Sequence, residues 1–258
     1  MARASADEYD ARTQRAGARG IRGIPGWRRA CNDGKRALIV RACTLCAHAP
    51  PAELRVLDLA CGCGGDLGKW AHAARALRAP CHVIGVDASP ASVKEALRRA
   101  VQFLPLGLRV TLAQASLAVA APVWRGTSLA KQAPFDIISC MFALHYLVAD
   151  RAETTALFSY IAALLRPGGV FICVETRPPA VLRTLPASDA FTLDFPDHAP
   201  ERVVVTINSD PVLVSDERPV PPADLLAAAA ACGFATAQAD AQLMCTCAFF
   251  GAWAFVKK

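Results

Sequence analysis

No run of about 18 uninterrupted apolar residues occurs anywhere in this chain, so a membrane-crossing helix is not expected, although 54% of its residues are hydrophobic. The opening stretch, MARASADEYDARTQR, has no apolar core of the secretory kind. No internal repeat is visible. Cys43-x-x-Cys46 with His48 has half the spacing of a zinc site, but no second ligand pair follows at a suitable distance, so no metal is expected. Cys245 and Cys247 read as packing residues. The eleven cysteines are scattered and often sit in apolar runs, as Cys140, Cys173 and Cys232 do. That usage suits reduced, buried thiols in a nuclear or cytoplasmic protein better than a disulfide framework.

The most informative stretch that is present is Val56-Leu57-Asp58-Leu59-Ala60-Cys61-Gly62-Cys63-Gly64-Gly65-Asp66. Residues 54–59 read as a short buried strand. Gly62, Gly64 and Gly65 permit a tight turn and close approach of backbone to a ligand. The segment after Asp66 opens a helix whose first amides favour anionic groups. A plain strand-to-helix turn has the same appearance, so the next segment matters. His82-Val83-Ile84-Gly85-Val86-Asp87 is a second apolar strand ending in an acid, 22 residues beyond Gly65. That is the region where a carboxylate receives a ribose diol. A dinucleotide site would want a third glycine, and Leu67 fills that slot. No lysine and Ser/Thr pair follows the turn, which excludes a phosphate-binding P-loop. S-adenosylmethionine has no phosphates, and its aminocarboxylate asks only for a close backbone. The turn suits it better.

Charge is unevenly placed. Residues 1–41 hold 10 Lys/Arg against 4 Asp/Glu, and the remaining residues hold 18 of each, so the whole net charge of +6 lies at the N-terminal end. Residues 1–27 read as a basic arm and 28–258 as one domain, with an insertion at about 178–222. Such an arm suits a polyanion, nucleic acid first, or else a solvated tail, which its glycines also favour.

The hydrophobic pattern predicts a helix over 34–47, then strand 54–59, helix 66–78, strand 82–87, helix 90–102 and strand 108–114. A polar connection around Trp124 leads to strand 135–141, helix 151–165 and, after Arg166-Pro167-Gly168-Gly169, strand 170–175. Residues 178–190 read as helical. Residues 191–195 and 202–207 suit an antiparallel hairpin. Helix 223–232 and strands near 234–239 and 247–256 complete the chain. The alternation predicts an α/β fold: a Rossmann-like, seven-stranded, mostly parallel sheet with helices on both faces. Ligand groups then gather at the C-terminal strand ends. His145 and Tyr146, just beyond the fourth strand, would lie over the cofactor pocket, unless they only cap the strand end.

Taken together, V-L-D-L-A-C-G-C-G-G-D-L-G-K-W, V-D-A-S-P-A-S-V-K, F-D-I-I-S-C-M-F-A-L-H-Y and L-R-P-G-G-V-F-I resemble the eukaryotic and viral mRNA cap guanine-N7 methyltransferases, which are class I S-adenosylmethionine-dependent methyltransferases. The G-G-D-L-x-K-W extension and the F-D-I-x-S-C-x-F-x-x-H-Y string are closer to that family than to methyltransferases in general. Asn32-Asp33-Gly34-Lys35-Arg36-Ala37-Leu38-Ile39 resembles the family's N-x-x-K-x-x-L-I. The resemblance covers roughly 28–256.

The resemblance implies roles at matching positions. Lys35 would contact the cofactor's methionine carboxylate. Asp58, Gly62 and Gly64 would form the turn beneath the methionine moiety, and Asp87 would bind the ribose hydroxyls. His145 and Tyr146 would contact the cap guanine, Glu217 would read its N1 and N2 edge, Phe250 would stack on it, and Asn32 is a further cap-side contact. Departures from the family pattern are Ala115 in a usual aspartate slot, which Gln114 or Ser116 would cover, and Met141 in place of a glutamine. The implied activity is transfer of a methyl group from S-adenosylmethionine to guanine N7 of capped RNA. RNA triphosphatase and guanylyltransferase would be separate chains. The alternatives are methyl transfer to a small molecule or protein, or a non-catalytic subunit with the same fold. No catalytic acid or base is expected, because N7 carries a lone pair and no proton.

Overall fold

The computed structural model describes residues 25–46, 52–117, 130–185, 191–207, 213–237 and 250–258. The basic arm before residue 25, Trp124, and Cys245 with Cys247 lie outside them.

In chain order the elements are α1 (Pro25–Cys46), β1 (Leu54–Leu59), α2 (Leu67–Leu77), β2 (Cys81–Asp87), α3 (Pro90–Ala100), β3 (Leu108–Gln114), β4 (Phe135–Met141) and the single turn α4 (Leu144–Leu147). Then come α5 (Arg151–Leu164), β5 (Leu165–Thr176), the single turn α6 (Pro179–Leu182), β6 (Phe191–Asp194), β7 (Val203–Ile207), β8 (Leu213–Glu217), α7 (Pro222–Ala231), β9 (Phe234–Ala237) and β10 (Phe250–Lys257). Seven strands form one sheet in the order β3-β2-β1-β4-β5-β10-β9. The pairs among β1 to β5 are parallel, and β10 runs antiparallel to both its neighbours. This is the Rossmann-like sheet that the alternating pattern predicts. The chain order reverses between β1 and β4, so a crevice opens at their C-terminal ends.

Burial explains the runs. β2 and β4 are buried at every residue, as strands covered on both faces must be. One apolar cluster joins Leu38, Ile39 and Trp70 from α1 and α2 to Val56, Val83 and Ile172 of the sheet. The other joins Leu157, Phe158 and Ile161 of α5 and Leu225 of α7 to Ile138, Phe171 and Phe255. Phe158 sets its ring edge-on to Phe171, Phe234 and Phe255 at 5.2–5.8 Å, a favoured aromatic geometry. Local signals fix two helix starts. The Ser89 hydroxyl accepts from the Ser92 amide ahead of Pro90, and the Asp150 carboxylate accepts from the Glu153 amide.

Four expectations are corrected. The first helix begins at Pro25 rather than 34, because Leu38, Ile39, Ala42 and Cys43 dock on the sheet and tertiary burial outweighs Gly26 and Gly34. The helix expected over 178–190 is the short turn α6, with Pro178 ahead of it and residues 186–190 outside the description. β5 begins at Leu165 rather than 170; Pro167 and Gly168 (φ 73°) lie within it, beside a register shift against β4. The expected hairpin of 191–195 and 202–207 forms as β6 and β7, but it is extended by a third strand, β8, because Val203–Ile207 pairs on both edges.

Gly85 stands opposite Asp58 in the β1–β2 register. A Cβ there would meet Leu112 Cδ2 at 2.6 Å and Cys61 Sγ at 2.9 Å, so one or both of these side chains would have to shift. Gly85→Ala is expected to destabilise the chain by about 1–3 kcal/mol. Chemical denaturation checks this, and an unchanged midpoint would contradict the tight β1–β2–β3 packing.

Candidate functional site

The turn after β1 bends through Ala60 (φ 55°), Gly62 (φ 51°) and Gly64 (φ 70°). Positive φ favours glycine, and Ala60 holds it against a steric penalty, as residues near ligand sites often do. The Cys61 amide donates to the Val86 carbonyl at 3.1 Å, which ties the turn to the end of β2. Asp87 then completes the link. Its Oδ2 accepts from the Gly62 amide at 2.8 Å and its Oδ1 from the Ser89 amide at 2.9 Å. A Cβ built at Gly62 or Gly65 would meet no atom within 4 Å. The turn therefore presents open backbone beside a fixed carboxylate. That suits the ribose diol and aminocarboxylate of a nucleoside amino acid: the carboxylate for the hydroxyls, free backbone for the tail.

A buried charge cluster lies under this turn. Lys35 Nζ is 2.7 and 3.0 Å from the two oxygens of Asp66, and Lys69 Nζ is 2.7 Å from Oδ1. Lys69 Nζ also donates to the Gly65 carbonyl at 3.0 Å. Burial raises the Asp66 pKa, but the two ammonium groups outweigh it and hold the carboxyl below its ordinary value. The ion cluster thus anchors α1 to the glycine turn. Asp58, at the end of β1, accepts from the Ser139 hydroxyl at 2.7 Å. Burial, with the Asp66 charge nearby, lifts its pKa from 3.8 to about 7.

The second half of the site forms where β4 and β5 end. Phe142 leaves β4 with φ 60°, a left-handed conformation that is strained for an aromatic residue. Its ring centroid lies 4.3 Å from that of Phe250, and Lys35 Nζ sits 5.2 Å from it. The His145 ring packs 4.0 Å from Tyr146. His145 Nδ1 lies 2.7 Å from Glu175 Oε1, and both side chains are 2% exposed. Burial opposes the imidazolium, but the charge and hydrogen bond of Glu175, joined by Glu217, raise the His145 pKa overall. The Thr176 hydroxyl donates to Glu217 Oε2, and Thr176 pairs with Phe250 across the β5–β10 ladder.

The sequence-derived candidates fall into two groups. Lys35, Asp58, Gly62, Gly64 and Asp87 surround the glycine turn. His145, Tyr146, Phe250 and Glu217 gather at the β4–β5–β10 rim. Lys35 bridges the two groups. Gln114 pairs with Asp87 across the sheet and its amide lies 3.5 Å from the Ala88 carbonyl, while Ser116 is exposed beyond it. Met141 is buried at the end of β4. Asn32 stands one helical turn before Lys35 on α1. Sequence reasoning missed Lys69, Ser139, Phe142 and Glu175. Glu175 had one available signal: an acid inside an otherwise apolar strand. Cys43 and Cys46 are buried, which pushes both thiols up to about 12, and Cys46 donates to the Asp136 carbonyl. Among the described residues, no three His, Cys, Asp or Glu side chains come together as a metal-ligand group.

Asp58 sets a pH dependence. A carboxyl whose folded pKa exceeds its unfolded value binds extra proton in the folded state. Stability then falls as pH rises from about 4 to about 7, at about 1.4 kcal/mol per pKa unit. Asp58→Asn keeps an acceptor for Ser139 and cannot ionise. Its thermal midpoint relative to wild type is expected to rise between pH 5 and pH 8, and a pH-independent difference would contradict the assignment.

Comparison with known proteins agrees with the geometry. Residues 1–193 match the family model of the mRNA (guanine-N(7))-methyltransferase domain. The chain is 34% identical over 145 residues to mRNA cap guanine-N(7) methyltransferase 1 of Oryza sativa, covering 55% of this chain and 38% of that protein. It is 35% identical over 119 residues to the Caenorhabditis elegans mRNA cap guanine-N(7) methyltransferase, covering 46% of this chain and 30% of that one. The matched part thus spans only about a third of these relatives. Among solved structures, an S-adenosylmethionine-dependent methyltransferase of Clostridium acetobutylicum shares the fold with TM-score 0.60 at 16% identity, over 87% of this chain and 91% of that one. The magnesium protoporphyrin IX methyltransferase of Synechocystis with bound S-adenosylmethionine does so with TM-score 0.56 at 17% identity, over 98% and 94%. The family match extends over most of the chain and takes in the glycine turn, Asp87 and the His145-Tyr146 pair, so this chain belongs to the mRNA (guanine-N(7))-methyltransferase family.

Proposed function

We propose that this chain transfers the methyl group of S-adenosylmethionine to N7 of the guanine that caps RNA. The observation that carries the reading is the convergence of an aromatic and carboxylate cluster (Phe142, His145, Glu217 and Phe250) on the strand ends beside the glycine turn. One cluster suits a purine and the other a nucleoside cofactor.

The cofactor, when bound, supplies an already activated methyl on its sulfonium. The rest is positioning. Asp87, held at the end of β2, binds the ribose hydroxyls as an acceptor. Gly62 and Gly64 let backbone approach the methionine tail. Lys35 is the cation available to the tail carboxylate, shared with Asp66. Asp58 becomes ionised when an ammonium group comes near it. Gln114 and Ser116 lie on the side of Asp87 that the adenine would occupy, and Met141 is the floor between the two clusters. Phe250 and Tyr146 hold the guanine plane, Asn32 approaches it from α1, and Glu217 accepts from N1 and N2. Guanine N7 carries a lone pair and no proton, so no general base acts. In-line alignment of nucleophile and methyl supplies on the order of 7–11 kcal/mol in favourable cases. The Glu217 carboxylate favours the positive charge that grows on the base.

The proposed partner is RNA that already carries an unmethylated guanosine cap. RNA triphosphatase and guanylyltransferase steps on other polypeptides precede this one, in the nucleus or cytoplasm. The basic N-terminal residues suit the cap phosphates and first nucleotides.

Labelled methyl from S-adenosylmethionine is expected to enter guanosine-capped RNA and not RNA with a 5′-triphosphate. Cofactor binding without transfer to capped RNA would sink the reading. Removing a base-stacking ring costs about 1–3 kcal/mol. Phe250→Ala is therefore expected to raise the KM for capped RNA at least about fivefold, with the KM for cofactor unchanged.

A further inference from the structure

We propose that Glu175 is a positioning residue for this reaction: its carboxylate fixes the His145 ring and leaves Nε2 as a hydrogen-bond donor for the O6 edge of the guanine. The inference rests on the cap-methylation reading and adds to it a residue and a charge state.

The geometry begins with an acceptor. An ionised carboxylate only accepts, so the 2.7 Å contact with Oε1 puts a proton on His145 Nδ1. A neutral ring held this way would carry a bare lone pair at Nε2, and an imidazolium carries an N–H there. The surroundings decide between them. The charged groups that face His145 are Glu175 from β5 and Glu217 from β8. Two cations at the rim are engaged with other partners: Lys35 with Asp66, and Arg177, which donates to the Phe250 carbonyl at 3.1 Å. Among the described residues two carboxylates and no cation face the ring, which favours the imidazolium, in line with the raised His145 pKa.

Nε2 is sealed from solvent and has no hydrogen-bond partner among the described residues, and the same holds for Glu175 Oε2. A buried donor left unpaired carries a penalty that an incoming acceptor removes. His145 therefore has an unused donor in the cluster that also holds Glu217. A donor from His145 and an acceptor from Glu217 complement the guanine edge, which offers O6 as acceptor and N1–H and N2–H as donors. Adenine offers a donor at C6 and an acceptor at N1, which opposes both. Glu175 touches no substrate atom in this account and acts through the ring it holds.

The test is a nuclear magnetic resonance titration of the His145 ring in the full chain, assigned from the resonance lost in His145→Asn, together with steady-state kinetics on capped RNA. The wild-type ring is expected to titrate above the usual histidine value of about 6.5. In Glu175→Gln the midpoint falls by at least about one pH unit. The KM for capped RNA rises about tenfold, while cofactor affinity stays within about twofold. A packing role alone moves neither the titration nor the KM of one substrate. A wild-type midpoint at or below about 6.5 overturns the inference without any Glu175 variant, so a variant that fails to fold does not protect it. An unchanged midpoint and KM in folded Glu175→Gln also overturn it. If the wild type binds cofactor but methylates no capped RNA, the cap reading fails and takes the inference with it. If the wild type methylates capped RNA and Glu175→Gln behaves like it, only the inference fails.

Discussion

Desolvated carboxylates along the C-terminal rim of the main sheet are the constraint on which the rest of the structure depends. Asp58, Asp66, Asp87 and Glu175 are each buried there. An isolated buried carboxylate is costly, so each needs its own compensation. Asp87 receives two backbone amides, Asp66 two ammonium groups, Glu175 an imidazole and Asp58 a single hydroxyl. At Asp58, where a single hydroxyl donates, burial raises the pKa to about 7. Three of these acids also tie separate parts of the chain together. Asp87 joins the ends of β1 and β2, Asp66 draws α1 onto the glycine turn, and Glu175 holds α4 against β5.

A rim arranged this way is preorganised for a ligand that carries both charge signs and several hydroxyls. Its acids are already held by protein partners, and among the described residues His145 Nε2 has no hydrogen-bond partner. The aromatic pair Phe142–Phe250 and the strained backbone at Phe142 belong to the same arrangement. Strain at one residue persists where neighbours over-determine it, here the Phe250 ring and the Lys35 ammonium group.

Much of the fold was legible in the sequence because its strands are buried on both faces. Runs such as Phe135–Met141 and Cys81–Asp87 need no partner to be recognised. The spacing from Gly65 to Asp87 was legible for a related reason, since one strand–turn–helix–strand unit brings them together. The start of α1 was hidden because Gly26 and Gly34 lower local helix preference, while the docking of Leu38 and Ile39 that overrides it is a tertiary effect. β8 was hidden because Val214-Ser215-Asp216-Glu217 lacks an apolar alternation. The Lys35–Asp66 and His145–Glu175 pairs span 31 and 30 residues of sequence. No periodicity reports a contact at that range. The positions that departed from the family pattern, Ala115 and Met141, lie at the ends of β3 and β4, and the two residues flanking Ala115, Gln114 and Ser116, are exposed rather than built into the core.

We propose that this one rim binds cofactor and cap guanine side by side. A crystal structure with S-adenosylhomocysteine and an unmethylated cap dinucleotide is the decisive measurement. The expected result is the ribose hydroxyls on Asp87, the guanine against Phe250 with Glu217 at its N1 and N2 edge, and N7 facing the cofactor sulfur. A guanine bound away from the β4–β5–β10 rim, or a cofactor that leaves Asp87 untouched, would contradict it.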